Sequence, residues 1–258
     1  MRQLFIAQPG LCGSRDKRPF MHTAKINKLF FSIQGEGVFI GYPQVFIRFA
    51  GCNLSCRYCD LPRSATLSGS PNVKKLTGPR LLKRILTIVE KKGAIHSVSI
   101  TGGEPLLQGD FLTGFLPLLK RRKIPVYLET NGTLPEELKK IGKYLDFVAM
   151  DLKIPSATEQ AAQWCAHRHF LQECQRIPGQ IFVKVVVTNS ADSGEINYAA
   201  KLVRKINSKT PLIIQPALDR SGRPEISGQK LMHLFQTAFK ILPTTRLIPP
   251  VHQFLRLS

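Results

Sequence analysis

Three cysteines stand close together in the sequence and have the spacing of metal ligands. Cys52, Cys56 and Cys59 are separated by four and three positions and follow a mostly apolar run at residues 45–50. Three thiolates can ligate three irons of a [4Fe–4S] cluster and leave the fourth iron without a protein ligand. The spacing therefore predicts an iron–sulfur cluster at which a small molecule binds the open iron.

The other cysteines, Cys12, Cys165 and Cys174, share no ligand spacing. Cys165 and Cys174 lie nine positions apart in a stretch of helical character, so we expect both to be buried as small apolar side chains. Cysteines concentrated in one short segment are typical of a metal site rather than of a disulfide framework. The chain also lacks the run of roughly 18 apolar residues that a membrane span requires. These features predict a cytoplasmic enzyme without a membrane partner.

The chain carries a large excess of basic residues, with 37 Lys and Arg against 17 Asp and Glu and a formal net charge of +20. Such a charge can attract nucleic acid. The basic residues are scattered over predicted helices, however, without interleaved aromatic side chains on which bases could stack. We therefore interpret the charge as a solvated basic surface that attracts anionic small molecules, and we do not expect a nucleic-acid partner.

Residues 1–24 show no hydrophobic period and contain Pro9, Gly10, Gly13 and Pro19 among several basic residues. We expect a basic, disordered N-terminal extension, with Met1 or Met21 as the start of the protein. An Arg-rich leader that is poor in acids also resembles a transit peptide, which is the less favoured interpretation. Residues 25–258 are predicted to form a single domain.

From residue 25 onwards, short apolar segments alternate with segments of helical period. The first two predicted strands, at residues 28–33 and 44–50, enclose a glycine-broken loop, and the second leads directly into Cys52. Strands separated by helices form repeated βαβ units with a parallel sheet. About six such strands predict an α/β fold, an incomplete (β/α)6-type partial barrel. The remaining strands are predicted at residues 96–101, 125–129, 147–151, 181–188, 211–215 and 245–249, the helices at residues 79–92, 111–122, 135–143, 157–175, 194–205 and 228–242, and a polar loop at residues 62–77.

Polar residues recur at the points where predicted strands end. Glu104 follows one strand, Glu129 ends the next, Asp151 ends the one after, and Gln215 ends a later one. Because active sites of such barrels lie at the carboxyl ends of the strands, we expect these side chains to converge on one mouth. The glycine pair at residues 102–103 would let the backbone approach a ligand closely there.

The cysteine motif, with an aromatic residue before its last cysteine, and the segment TGGEP at residues 101–105 resemble the radical S-adenosylmethionine superfamily. The resemblance implies that the amino and carboxylate groups of S-adenosylmethionine chelate the open iron. Electron transfer from the reduced cluster cleaves the C–S bond, and the resulting 5′-deoxyadenosyl radical abstracts hydrogen from an unreactive C–H bond. The protein then has to orient the reactants and exclude side reactions.

Four further segments narrow the resemblance: SIQGEG at residues 32–37, FIRFAGCN at 46–53, ETNG at 129–132 and IPPVH at 248–252. Over roughly residues 25–255 the chain is similar to the 7-carboxy-7-deazaguanine synthase family. The resemblance implies a lyase that converts 6-carboxy-5,6,7,8-tetrahydropterin to 7-carboxy-7-deazaguanine with release of ammonia, a step toward queuosine and other 7-deazapurines. It further implies a regenerated coenzyme, a reductant such as flavodoxin or ferredoxin, and a homodimer.

The resemblance also assigns roles to residues, with the three cysteines of the motif as cluster ligands. Arg48 would bind the pterin carboxylate, for which a bidentate guanidinium is suited. Without the family, an Arg in an apolar strand must still find an anion. No side chain is assigned as a catalytic acid or base. The implied coenzyme contacts are Gly103, Glu104, Asp151, Leu152, Lys153, Gln215, Pro216, Ala217 and Leu218, and the implied substrate contacts are Ile33, Gln34, Gly35, Arg48, Thr101, Glu129 and His252.

One position departs from the family pattern. The family usually has Thr directly after the Cys-Asp pair, where the hydroxyl contributes to a Mg²⁺ site, whereas this chain has Leu61. Because Leu61 has no donor oxygen, we expect only a weak dependence on Mg²⁺, with Asp60 or water compensating.

Two alternatives remain open from the sequence. A glycyl-radical-enzyme activase shares the cysteine motif, but many such enzymes carry extra ferredoxin-like cysteines, which this chain lacks, and they lack the SIQGEG segment. A basic nucleic-acid-binding protein with a structural cluster would not cleave S-adenosylmethionine, and its RNA binding would depend steeply on salt.

Overall fold

The structure of the protein is a computed structural model that describes residues 22–59 and 73–255. Its centre is a nine-stranded sheet within these residues, in the order β3-β1-β2-β4-β5-β6-β7-β8-β9. From β2 to β9 all neighbours are parallel, whereas β1 pairs antiparallel with both β2 and β3. The strands are β1 (Thr23–Ile33), β2 (Pro43–Phe49), β3 (Lys74–Thr77), β4 (Ser97–Gly102), β5 (Val126–Thr130), β6 (Phe147–Asp151), β7 (Gln180–Val187), β8 (Leu212–Pro216) and β9 (Arg246–Leu247).

Helices connect successive parallel strands, as the alternating sequence pattern predicts. In the described part of the chain β3 and β9 form the two ends of the sheet. The barrel is therefore incomplete, and the predicted partial barrel is confirmed. The helices are α1 (Gly78–Lys92), α2 (Gly109–Arg121), α3 (Pro135–Ile141), α4 (Pro155–Thr158), α5 (Trp164–Cys174), α6 (Ser193–Ile206), α7 (Gly228–Ile241) and α8 (Val251–Phe254).

The two faces of the parallel strands have different neighbours. On β5, Val126 and Leu128 belong to the main apolar core under the helices, whereas Tyr127 belongs to a smaller apolar cluster with Ala149 and Phe182. Successive side chains of a strand point to opposite faces, so this second cluster fills the inner face of the barrel. Residues two positions later on the same strands also face inward. They lie at the carboxyl ends of the strands, at the mouth of the barrel.

One predicted helix is divided in the structure. The prediction of a helix over residues 157–175 is wrong for its first part, because α4 ends at Thr158 and α5 begins only at Trp164. Glu159 has a left-handed backbone conformation with φ of 56°, and the carbonyl of Thr158 accepts a hydrogen bond from the amide of Arg57, at 3.1 Å. This carbonyl is bound to the loop that carries the cysteines instead of continuing a helix.

Other boundaries also differ from the sequence prediction. β1 begins at Thr23, within the segment assigned to the N-terminal extension, and β3 lies within the segment predicted as a loop. β3 is an edge strand in which only Leu76 is buried. Its sequence is therefore mostly polar and lacks the apolar alternation by which a strand is recognised. Cys174 is buried as expected, but Cys165 is exposed on α5, where the expectation of burial is wrong. The expectations for residues 1–21 and 60–72 lie outside the described residues.

No helix in the described residues combines the length and the apolar character that crossing a bilayer requires.

Candidate active site

A cavity of about 680 Å³ opens at the carboxyl ends of the parallel strands. It brings together the three cysteines and most residues that the sequence assigned to the coenzyme and the substrate. Among the predicted contacts, only Glu104 and Leu152 are absent from its wall. The predicted residues that line the cavity are Ile33, Gln34, Gly35, Arg48, Cys52, Cys56, Cys59, Thr101, Gly103, Glu129, Asp151, Lys153, Gln215, Pro216, Ala217, Leu218 and His252.

The cysteines lie on the loop that follows β2. Gly103 at the end of β4 packs directly under this loop, since a Cβ on Gly103 would lie 2.7 Å from the carbonyl carbon of Gly51 and 2.8 Å from Cβ of Cys52. The amide of Glu104 donates a hydrogen bond to the carbonyl of Gly51, at 2.8 Å. Only a residue without a side chain fits at position 103, and the glycine thereby sets the position of the first cysteine.

The three thiols are ligands of the kind that a [4Fe–4S] cluster takes, in which each thiolate binds its own iron. All three cysteines line the same cavity. Burial raises the pKa of the Cys52 and Cys56 thiols, and positive iron beside them would favour the thiolates that ligation needs.

Glu104 is a predicted coenzyme contact that does not line the cavity. Its side chain is fully buried; Oε1 accepts hydrogen bonds from the amide of Leu106, at 3.0 Å, and from Oγ1 of Thr130, at 2.9 Å. Oε2 accepts one from the amide of Asn131, at 2.8 Å. Burial raises the pKa of Glu104 to about 7. The carboxylate therefore ties the end of β4 to the end of β5 and does not face the cavity.

Leu152 is the other predicted coenzyme contact that does not line the cavity. Its side chain is fully buried in the main core, and its amide donates a hydrogen bond to the carbonyl of Lys184, at 2.8 Å. The residue holds β6 beside β7 while its neighbours Asp151 and Lys153 face the cavity. Sequence position alone does not reveal this alternation within a short loop.

Four charged side chains form a network along one wall of the cavity. Nζ of Lys184 contacts Oε2 of Glu36 and lies 3.3 Å from Oδ2 of Asp151. Nζ of Lys153 lies 2.7 Å from the same Oδ2 and 3.2 Å from the hydroxyl of Tyr58. Burial by itself would raise the pKa of Asp151, but the two lysines lower it overall. The network thus keeps two carboxylates and two ammonium groups charged beside the cysteine loop.

Lys184 and Glu36 were not among the predicted site residues. Lys184 is a single charged residue within the Val-rich strand β7, and in such a basic chain this signal is weak. Oε1 of Glu36 also accepts a hydrogen bond from Nε2 of Gln215, at 3.0 Å. The loop before β2 is thereby connected to the ends of β6, β7 and β8.

Two buried acceptors on this wall have no partner within the described residues. They are Oδ1 of Asp151 and Oε1 of Gln215. Since buried polar atoms are nearly always hydrogen-bonded, these oxygens are suited to accept bonds from hydroxyl or amino groups of a bound molecule. Their placement fits the predicted coenzyme contacts on β6 and β8.

Another part of the cavity wall carries Arg48 from β2. Its guanidinium lies 5.8 Å from the ring centroid of Phe30, and it forms no ion pair with any acidic residue in the described ranges. A half-buried guanidinium without a carboxylate partner can bind an anionic ligand.

Glu129 lies beside this anion site and is held by neutral donors. Its Oε2 accepts a hydrogen bond from Oγ1 of Thr101, at 2.7 Å, and its Oε1 accepts one from Nε2 of Gln34, at 2.8 Å. The three predicted substrate contacts therefore form one hydrogen-bonded group. Their geometry fixes the carboxylate toward the cavity that all three line.

The C-terminal segment completes the mouth. The amide of Val251 donates to the carbonyl of Gly35, at 2.9 Å, and a Cβ on Gly35 would lie 2.7 Å from Cγ of His252. This close approach explains a glycine at position 35. Pro250 also lines the cavity and was missed, although it lies in the IPPVH segment that pointed to the family.

Known proteins are similar to this chain in sequence over most of its length. Residues 46–175 match the family model of the radical SAM superfamily. A 7-carboxy-7-deazaguanine synthase from Geobacter sulfurreducens is 38% identical over 245 residues, which cover 90% of this chain and 97% of the relative. The synthase of the same name from Archaeoglobus fulgidus is 36% identical over 242 residues, covering 90% of this chain and 98% of the relative.

Solved structures show the same fold at low sequence identity. The crystal structure of QueE from Escherichia coli superposes with a TM-score of 0.55 at 20% identity, covering 88% of this chain and 93% of that chain. A radical SAM methyltransferase from Sphaerobacter thermophilus gives a TM-score of 0.56 at 14% identity, covering 80% of this chain and 66% of that chain.

Fold and cavity together define a radical S-adenosylmethionine protein, the superfamily predicted from the cysteine motif. That superfamily implies a [4Fe–4S] cluster and S-adenosylmethionine as cofactors. Within it, the chain belongs to the 7-carboxy-7-deazaguanine synthase family. The predicted family is confirmed, and the activase and the nucleic-acid-binding protein are not favoured.

Proposed function

We propose that this chain converts 6-carboxy-5,6,7,8-tetrahydropterin to 7-carboxy-7-deazaguanine with release of ammonia, as a lyase of 7-deazapurine biosynthesis. One observation carries the proposal beyond family membership. The cavity that holds Cys52, Cys56 and Cys59 also holds Arg48, whose guanidinium has no carboxylate partner in the described residues. A carboxylated substrate placed against Arg48 would lie in the same cavity as the cluster.

Cys52, Cys56 and Cys59 would hold the cluster. When bound, the reduced cluster and S-adenosylmethionine supply a 5′-deoxyadenosyl radical that abstracts a hydrogen atom from the substrate. The unpartnered oxygens of Asp151 and Gln215 support the assignment of β6 and β8 to coenzyme binding. The predicted contacts on this side that line the cavity are Gly103, Asp151, Lys153, Gln215, Pro216, Ala217 and Leu218.

The chain's own residues would orient the pterin. Arg48 binds its carboxylate through two parallel hydrogen bonds, the arrangement in which guanidinium groups are most selective. Thr101, Gln34 and Glu129 form a preorganised polar group beside it, with Ile33, Gly35 and His252 completing the wall. Because these groups are held by one another before the substrate arrives, little ordering is left for the reaction itself.

The metal dependence follows from Leu61, which lies outside the described residues together with Asp60. We expect the activity to depend only weakly on Mg²⁺, since Leu61 offers no oxygen ligand. Titration of metal-stripped, cluster-loaded enzyme with Mg²⁺ tests this expectation. An absolute requirement for the ion would contradict it.

The same proposal includes a cytoplasmic location, an external one-electron reductant such as flavodoxin or ferredoxin, and a homodimer. Sedimentation of the cluster-loaded protein tests the dimer. Replacing a chemical reductant by reduced flavodoxin or ferredoxin tests the electron donor.

The direct test of the function is anaerobic reconstitution followed by incubation with the carboxytetrahydropterin, S-adenosylmethionine and a reductant. We expect the chromophore of a deazapurine and free ammonia in equal amounts. A cluster-loaded protein that cleaves S-adenosylmethionine but leaves the pterin unchanged would overturn the substrate assignment.

A further inference from the structure

The loop that carries the cysteines crosses the mouth of the barrel. It leaves the sheet at the end of β2, which in the strand order is separated from β8 by β4, β5, β6 and β7. Arg57, between Cys56 and Cys59, nevertheless contacts residues that follow β6 and β8. The loop therefore joins two sides of a barrel whose sheet is open in the described residues.

Arg57 makes three contacts across the mouth. Its Nη2 donates to Oε2 of Glu225, at 2.7 Å, and its Nε lies 3.4 Å from Oε1 of Glu159. Its amide donates to the carbonyl of Thr158, at 3.1 Å. The neighbouring Ser55 adds a hydrogen bond from its amide to Oε1 of Gln160, at 3.3 Å. Both backbone and side chain are thus used to fasten the loop.

Backbone hydrogen bonds hold the segment that carries Glu225. The amide of Glu225 donates to the carbonyl of Ala217, at 2.8 Å, and its carbonyl accepts from the amide of Asn189, at 2.7 Å. Leu218 and Pro224 form an antiparallel bridge in the same turn. Ala217 and Leu218 line the cavity on the side assigned to the coenzyme, so Arg57 links the cysteine loop to that wall.

We propose that Arg57 is a positioning residue that fastens the cluster-bearing loop to the coenzyme wall through Glu225 and Glu159. The inference rests on the assignment of the cysteines as cluster ligands. Because Arg57 stands between two of those ligands, displacement of its backbone moves both thiols. Loss of the contact would therefore speed release of the cluster and weaken binding of S-adenosylmethionine, while the rest of the fold stays intact.

Charge reversal tests the proposal on anaerobically reconstituted protein. We would compare wild type, Arg57→Glu, Glu225→Arg and the double variant that carries both changes. The first readout is the rate at which an iron chelator bleaches the cluster absorbance, and the second is the dissociation constant of S-adenosylmethionine without pterin. Each single variant should change both values by about twofold to fivefold, within the range for a partly exposed ion pair. The double variant should recover part of the loss, because it restores an ion pair between positions 57 and 225 but leaves Glu159 beside a like charge.

Arg168→Glu is the matched control. Arg168 is an exposed arginine on α5 whose side chain donates to the hydroxyl of Tyr198, at 3.0 Å, away from the cysteine loop. Its reversal should leave both readouts at the wild-type values. Arg57→Gln avoids a new negative charge beside Glu159. It should raise the rate of cluster bleaching and the dissociation constant of S-adenosylmethionine, but by less than Arg57→Glu does.

Unchanged cluster release and coenzyme affinity in Arg57→Glu would overturn the proposal. A double variant as impaired as the sum of the two single changes would do so as well, since the residues would then act independently. Neither readout uses the pterin. Failure of wild type to form a deazapurine would therefore contradict the proposed function without affecting this test.

Discussion

Nζ of Lys184 lies 3.3 Å from Oδ2 of Asp151, and the same ammonium contacts the carboxylate of Glu36. Asp151 ends β6, on the side of the cavity proposed for the coenzyme, whereas Glu36 lies in the same loop as Gln34 and Gly35, which are proposed substrate contacts. Lys184 therefore joins the two halves of the cavity. All three side chains are largely buried. Glu36 therefore depends on this lysine for its ion pair, whereas Asp151 also has Lys153 as a partner, at 2.7 Å.

Replacing Lys184 by Met should destabilise the protein by on the order of 3 kcal/mol, because a buried carboxylate that loses its partner carries the full cost of burial. Urea unfolding of the cluster-loaded protein measures the change. Lys201→Met is the matched control, since Lys201 is exposed on α6 and should unfold as wild type does. Equal stabilities of the two variants would contradict a supporting role for Lys184.

Arg48→Lys should raise KM for the pterin by about tenfold, since a lysine keeps the charge but loses one of two parallel hydrogen bonds to the carboxylate. The value of kcat should change less, because the cluster and the coenzyme contacts lie elsewhere. Steady-state kinetics of the cluster-loaded enzyme measure both parameters.

Lys28→Met controls for the loss of a nearby charge. Lys28 is paired with Arg48 in the register of β1 and β2, and its Nζ lies 4.8 Å from the centroid of the same Phe30 ring. Lys28 does not line the cavity, so its removal should leave KM near the wild-type value. An equal effect of both substitutions would indicate general electrostatic attraction rather than a carboxylate site at Arg48.

We expect the protein to lose stability in acid because of the buried His167. The residue is fully buried on α5, with Nε2 3.1 Å from the carbonyl of Asn131, and burial lowers its pKa from 6.5 to about 4. The unfolded chain therefore binds the proton more readily, so the stabilising contribution is present above about pH 6.5 and is lost as the pH falls toward 4. The resulting loss between pH 7 and pH 5 is on the order of 2 kcal/mol.

Urea unfolding of His167→Gln at about pH 7 and about pH 5 measures this contribution. The variant should lose less stability between the two values than wild type does. His169→Gln changes an exposed histidine on the same helix and should keep the wild-type pH dependence. If the stability of His167→Gln fell between the two pH values as much as that of wild type does, the assignment of the acid sensitivity to this residue would be contradicted.

The fold could be predicted largely from the chain because each strand is short, apolar and separated by a helix of clear period. β3 escaped detection since only Leu76 of that strand is buried. The predicted helix over residues 157–175 failed at Glu159 for a different reason, because the carbonyl of Thr158 is bound by an amide far away in the sequence. Local patterns do not contain such contacts.

The site was predictable where a polar residue ends an apolar strand, as Asp151 and Gln215 do. Glu104 occupies a similar sequence position but turns inward to the amides of Leu106 and Asn131, which spacing alone does not distinguish. Arg57 and Glu225 are 168 positions apart, so only the folded chain shows that they meet.

The most direct test of the account is the amount of 5′-deoxyadenosine formed per deazapurine, because the proposed lyase regenerates its coenzyme. Wild type and Cys165→Ala, which removes an exposed cysteine outside the cavity, should form many product molecules for each 5′-deoxyadenosine released. Cys56→Ala should form none. Stoichiometric 5′-deoxyadenosine in wild type, or deazapurine formation by Cys56→Ala, would contradict the account.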